Sequence, residues 1–164
     1  MVPISTLLEV KNMSNSVKPI PDGYHSITPY ITVKNAVEAI EFYKKAFGAI
    51  ELLRMPDASG RISHAEIRIG DSVIMMSDEH PEMGVYSPQH YGGAPVGILL
   101  YVENCDAVFA QAVAAGATVQ RPLADQFYGD RSGGVVDPFG FRWYISTHIK
   151  DVSMEELQAA GTSA

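Results

Sequence analysis

The stretch Asp137-Pro138-Phe139-Gly140-Phe141-Arg142-Trp143-Tyr144-Ile145-Ser146-Thr147-His148 decides how this chain folds. Proline fixes φ and glycine tolerates positive φ, so the head of the stretch predicts a tight turn. The aromatic, β-branched and polar residues that follow alternate, which predicts a strand. Arg142, Tyr144, Ser146 and His148 then point to one face, and Phe141, Trp143, Ile145 and Thr147 to the other, because side chains alternate along a strand. The second set is built to pack, and the first is free to meet a ligand or water.

Outward from this strand the chain reads as two similar halves. The second half predicts a strand over 96–102, a helix over about 106–115 closed by Gly116, a strand near 117–121, a polar loop through Phe127-Tyr128-Gly129-Asp130-Arg131, and a strand over 133–136. The first half predicts a strand over 26–33, with Ile27, Ile31 and Val33 on the packing face and Thr28, Tyr30 and Thr32 on the other. Pro29 suits an edge or a bulge. A helix follows from Asn35 as N-cap to Gly48 as stop, carrying Val37, Ile40, Phe42, Tyr43 and Phe47. Strands over 50–55, 62–69 and 72–77 complete it, and on the second of these His64, Glu66 and Arg68 share a face. Aligning Val33 with Val102 also aligns Asn35 with Asn104. The expected fold is α/β (α+β), with two βαβββ modules over about 24–80 and 95–150 forming a curved sheet that bears a cleft. Within this layout 23–150 is the folded domain, 1–22 an N-terminal arm, and 151–164 a tail whose short helix is capped by Ser153.

Bulk properties exclude several function classes. With 12 Lys and Arg against 19 Asp and Glu, and a formal net charge of -7, the chain lacks the basic surface that a phosphate backbone requires, so no nucleic-acid partner is expected. No apolar run reaches the roughly 18 residues that span a bilayer, so no membrane partner is expected either. Residues 1–8 lack a basic start and a small-residue cleavage site, and a secretory leader is not expected. The single cysteine, Cys105, cannot close an intrachain disulfide, which suits a reducing cytoplasm.

Several motifs together carry a resemblance to a known family. They are Tyr30-Ile31-Thr32-Val33-Lys34-Asn35, the helix Ile40 to Gly48, His64-Ala65-Glu66-Ile67, Ala115-Gly116-Ala117 and Asp137-Pro138-Phe139-Gly140. The chain resembles the vicinal oxygen chelate superfamily of glyoxalase I, bleomycin-resistance proteins and extradiol dioxygenases. Phe127-Tyr128-Gly129-Asp130-Arg131 and Thr147-His148 resemble its PhnB-like branch, although Phe141 stands where that branch often has His. The resemblance implies a small-molecule ligand, a homodimer and, in the family's enzymes, a divalent metal held by the first and fourth strands of each module. Those positions carry over to Thr28, Met75, Gly97 and Tyr144. Met is soft for hard or borderline cations and Gly brings no side chain, so the resemblance implies a lost metal site and no cofactor. A divalent metal stays open only at a non-standard set, His64, Glu66 and His148.

The side chains themselves leave alternatives open. His64 and Glu66 are the catalytic candidates, as a general base with its orienting partner, or else part of a hydrogen-bonded polar face. His148 shares a face with Tyr144 or is simply solvated at a strand end. Arg68 and Arg142 clamp a carboxylate or phosphate, or pair with Glu66 or another acid. Tyr30, Tyr101 and Tyr144 stack on a flat ligand, or fill a groove or dimer contact. Thr28 and Met75 complete the ligand-binding set. Asp130-Arg131 closes over a ligand or forms a local ion pair. The first function expected is small-molecule binding of the bleomycin-resistance kind. The second is a lyase, isomerase or dioxygenase-type enzyme using acid–base groups or a non-standard metal, and the third a structural or regulatory dimer.

Overall fold

A computed structural model describes residues 17–161. Most of the expected arm, and the last residues of the tail, lie outside the described residues. The first half folds as β1 (Tyr30–Val33), α1 (Ala36–Phe47), β2 (Ile50–Pro56), β3 (Ile62–Ile69) and β4 (Ser72–Asp78). Two short 3-10 turns, Pro81–Met83 and Pro88–Tyr91, lead into the second half. That half holds β5 (Gly97–Tyr101), α2 (Cys105–Ala115), β6 (Thr118–Asp125), β7 (Asp130–Val136) and β8 (Arg142–His148). A last helix, α3 (Met154–Gly161), opens on a reciprocal cap, in which the Glu156 amide donates to the Ser153 hydroxyl and the Ser153 amide to the Glu156 carboxylate.

Both halves build the same sheet. Strand order is β1-β4-β3-β2 in one and β5-β8-β7-β6 in the other, with the first and last strands of each half parallel. Tyr30 lies beside Met75 and Thr32 beside Ser77, just as Leu99 lies beside Tyr144 and Tyr101 beside Ser146. Along these parallel pairs the duplication is kept residue for residue. The pairings give two four-stranded sheets, one to each predicted βαβββ module. What joins them is packing on the helix side.

The helices start and stop where their end residues dictate. Asn35 accepts from the Glu38 amide and Asn104 from the Ala107 amide, and Gly48 closes α1 in the left-handed conformation at φ 66°. Ile31, Val33, Ala65, Ile67, Ile74 and Met76 of the first sheet, and Val135, Trp143 and Ile145 of the second, are buried on the helix side. The Tyr43 and Phe47 rings of α1 reach across to Trp143 of β8, with centroids 5.5 and 4.5 Å away. Each large apolar side chain so removed from water stabilises the fold by roughly 2 kcal/mol. Asp137 fastens this joint. One carboxylate oxygen accepts from the Phe139 and Phe141 amides, and the other from the Tyr43 hydroxyl at 2.7 Å and the Trp143 indole N–H at 2.9 Å. Burial is the largest influence on this carboxyl and pushes its pKa up, against those four bonds.

Three expectations need correction. Ile27 is 86% exposed instead of packed, and Thr28 precedes β1, because Pro29 has no N–H with which to extend the strand. Strand β6 runs past Pro122 to Asp125, which an edge strand with irregular register permits. Asp130 and Arg131 belong to β7 rather than to a loop, since the Gln126 amide bonds the Asp130 carbonyl and closes a tight hairpin.

Candidate functional site

Each sheet leaves one face turned away from the helices, and the predicted site residues gather there. In the first half, β3 presents His64, Glu66 and Arg68, while β1 presents Tyr30. The Tyr30 hydroxyl lies 3.2 Å from His64 Nδ1, and His64 Nε2 lies 3.0 Å from Glu66 Oε1. Glu66 can only accept when ionised, so Nε2 carries the proton, and in the neutral imidazole Nδ1 accepts from Tyr30. The Tyr24 hydroxyl donates to the other oxygen of Glu66. His64 first, and then Tyr24, hold the Glu66 carboxyl below the usual range despite its burial. The result is a hydrogen-bonded chain of four side chains that ends from both sides on Glu66.

A segment ahead of β1 roofs this group. Pro19, Ile20, Pro21 and Tyr24 face Thr28, Glu66 and Met75 across a cavity of about 450 Å³. Thr28 and Met75 are therefore brought together with Glu66. Arg68 is exposed and has no carboxylate partner among the described residues.

The second half presents a different face. Tyr144 of β8 lies with its ring against Gly97 of β5, where an added Cβ would stand only 2.7 Å from the ring edge. Only glycine leaves room for that approach. The Arg121 guanidinium sits 5.6 Å from the centre of the same ring and 3.5 Å from the Ser132 hydroxyl. Leu99 and Tyr101 of β5 are 50% and 58% exposed beside it. Arg142 is exposed at the start of β8, next to a turn through Gly92 and Gly93.

At the other end of this face lies buried Asp130. It accepts from the Tyr101 hydroxyl at 2.7 Å and from His148 Nδ1 at 2.8 Å, and His148 Nε2 meets Asp151 at 3.0 Å. Burial alone would raise the Asp130 carboxyl, but Tyr101 and His148 together bring it below its ordinary value. Asp130, then Asp151, raise the pKa of His148, which suits an imidazolium donating from both nitrogens. His148 thus belongs to a group apart from His64 and Glu66. Arg131 pairs with Asp106 at 2.7 Å and Asp125 at 2.9 Å, not with its neighbour Asp130.

The positions that the resemblance implies for a metal, Thr28, Met75, Gly97 and Tyr144, hold no His or carboxylate side chain. Met75 offers a thioether and Gly97 nothing, and the space over Gly97 is taken by the ring of Tyr144. Among the described residues no group of three or more His, Cys, Asp or Glu side chains is placed to hold an ion. Four contributors escaped the sequence reading: Tyr24, Arg121, Asp130 as a buried acceptor, and Asp151. Tyr24 and Asp151 lie outside the alternating strands, and no periodicity marks them.

The fold has counterparts among known proteins. Residues 23–145 match the family described as the Glyoxalase/Bleomycin resistance protein/Dioxygenase superfamily. An uncharacterized protein of Mycobacterium bovis is 43% identical over 141 residues, covering 84% of this chain and 93% of that protein. A solved structure of a Pseudomonas aeruginosa protein superposes with a TM-score of 0.62 at 28% identity, covering 76% of this chain and 98% of that one. The PhnB protein from Bacillus cereus superposes with a TM-score of 0.58 at 19% identity, covering 75% of this chain and 99% of that one, a likeness of fold alone. No helix among the described residues is long and apolar enough to cross a membrane.

Proposed function

The chain belongs to the Glyoxalase/Bleomycin resistance protein/Dioxygenase superfamily, and from that premise we propose that it binds a small organic molecule on the open sheet faces without help from a metal ion. The observation that carries this reading is the Tyr144 ring seated on Gly97, at two of the positions where the family's enzymes place metal donors. An aromatic ring offers a ligand contact area instead of a coordination bond. Exposed Tyr30, Leu99 and Tyr101 on the same faces add to that area and give a second copy of the chain a surface to cover, in a homodimer. The segment from Phe127 to Arg131, with Thr147-His148, supports a place in the PhnB-like branch. Buried, unpaired Cys105 suits a cytoplasmic protein. A thermal-shift screen of small molecules with and without chelator tests the binding claim. Hits that survive chelator are the expected result, and hits that appear only with added divalent metal would reject it.

A second reading is favoured by the linked side chains Tyr30, His64, Glu66 and Tyr24. A histidine held between a phenol and a carboxylate can act as general base or acid in a lyase or isomerase reaction. Replacing His64 and Glu66 by Ala separates the two readings. Ligand affinity persists with or without them if they are structural, whereas turnover, where a substrate is found, disappears if they are catalytic.

A further inference from the structure

The arginines of this acidic protein are distributed unevenly. With a formal net charge of -7, carboxylates are plentiful, and arginines away from the open faces use them. Arg54 pairs with Glu51 and Glu41, Arg61 with Asp57 and Glu82, and Arg131 with Asp106 and Asp125. The remaining arginines, Arg68, Arg121 and Arg142, have no carboxylate partner among the described residues, and all three belong to the open faces. Two of them flank one tyrosine. Arg121 is in register with Gly134, Gly134 with Tyr144, and Arg142 lies two residues before Tyr144 on β8. Arg142 also borders a cavity of about 580 Å³ against Tyr91, Gly92, Gly93 and Pro95.

Resting on the metal-free binding reading above, we propose that the second module's open face takes a planar organic anion, an aromatic ring bearing a carboxylate or phosphate group. The ring lies over Leu99 beside Tyr144, and the acid group meets the Arg142 guanidinium, whose planar fork matches a carboxylate or phosphate in two parallel bonds. Arg121, held over Tyr144 and bound to no acid, adds a second positive charge to the same face. Against a negative protein this concentrates anions where the ligand sits and disfavours cations. A neutral ligand of the same shape would leave both guanidinium groups without a counter-charge.

Calorimetric titration of the chelator-treated full-length protein tests this with naphthoate, its neutral amide naphthamide, phenyl phosphate and the cation naphthylmethylamine. Naphthoate or phenyl phosphate is expected to bind, and naphthamide and the amine to bind at least about tenfold more weakly, the discrimination a charge-assisted hydrogen bond supplies. Arg142→Gln should weaken the anion by about tenfold or more, Arg121→Gln by less, and Arg142→Lys should keep part of the affinity. Unchanged melting temperatures of these exposed-site variants establish that folding is not the cause. Equal affinity for naphthoate and naphthamide, tighter binding of the amine, or no change in Arg142→Gln would overturn the anion assignment and leave metal-free binding standing. If none of the four binds, the anion assignment falls, and the thermal-shift screen decides the binding reading by itself.

Discussion

The two modules share a backbone plan and differ on the faces they leave open. In the first, every polar group of the Tyr30, His64, Glu66 and Tyr24 set has a partner, and a segment of the chain roofs it. In the second, Leu99, Tyr101 and Tyr144 form an open aromatic and apolar floor with Arg121 and Arg142 beside it. The helix sides, by contrast, share a plan: buried apolar residues on each sheet, and an asparagine cap on each helix. Packing constrains one side of each sheet tightly, because a core tolerates little change in volume. The other side is free to diverge, and there the modules have taken different chemistry.

The largest expected effect separates two hairpin aspartates at different places in the modules, Asp57 between β2 and β3 and Asp137 between β7 and β8. Asp57 and Asp137 each accept backbone amides two and four residues ahead, so the local motif is the same. Only Asp137 is buried and also holds Tyr43 and Trp143. Asp137→Ala should cost about 3–5 kcal/mol in urea unfolding, since four buried donors lose their acceptor. Asp57→Ala should cost far less, and equal losses would break the comparison.

Next in size is the contact between Gly97 and Tyr144. Gly97→Ala places a Cβ 2.7 Å from the ring and should destabilise by about 1–3 kcal/mol, while Thr28→Ala, at the matching place in the first module, should be near neutral. In the double variant Gly97→Ala with Tyr144→Ala the costs should fall short of additivity, because the clash is gone. Additive losses would show that the ring and the glycine are not coupled.

The roof over the first module should respond to a gentler change. Tyr24→Phe removes the bond to Glu66 and should speed hydrogen exchange or proteolysis over residues 17–28 without altering the second module. Acid should act the same way. Glu66 has a lowered folded pKa, so its contribution is complete above the ordinary value of 4.5 and is lost as pH falls through the folded one. A roof that stays closed in both cases would place its attachment elsewhere.

The smallest effect belongs to His148. Its folded pKa is raised, so the clamp between Asp130 and Asp151 is complete below 6.5 and loosens as pH rises through the folded value. An NMR titration should place the imidazole above that ordinary value, and Asp151→Asn should bring it down. His148 titrating at or below the ordinary value would remove the clamp from the account.

Much of this fold is legible in the sequence. The alternation around Trp143 and Ile145, the asparagine caps and the glycine stop are local signals, and local signals survive into the structure. Elements with weak local character were harder to read. Ser132-Gly133-Gly134 has little strand propensity, which hid the start of β7 and with it buried Asp130. The site was legible in half. His64 and Glu66 meet because they are two apart on one strand, but Tyr24 reaches Glu66 across a separation of 42 residues that only tertiary packing sets. Arg121 over Tyr144 is likewise a contact between strands, invisible to the spacing of either.

The claim that the open faces bind without metal is tested most directly by titrating the chelator-stripped, tag-free protein with Ni, Zn, Mn and Fe(II) in a calorimeter. No stoichiometric binding is expected beyond the weak heat of exposed histidines. One equivalent bound tightly, and lost in His64→Ala, would contradict it.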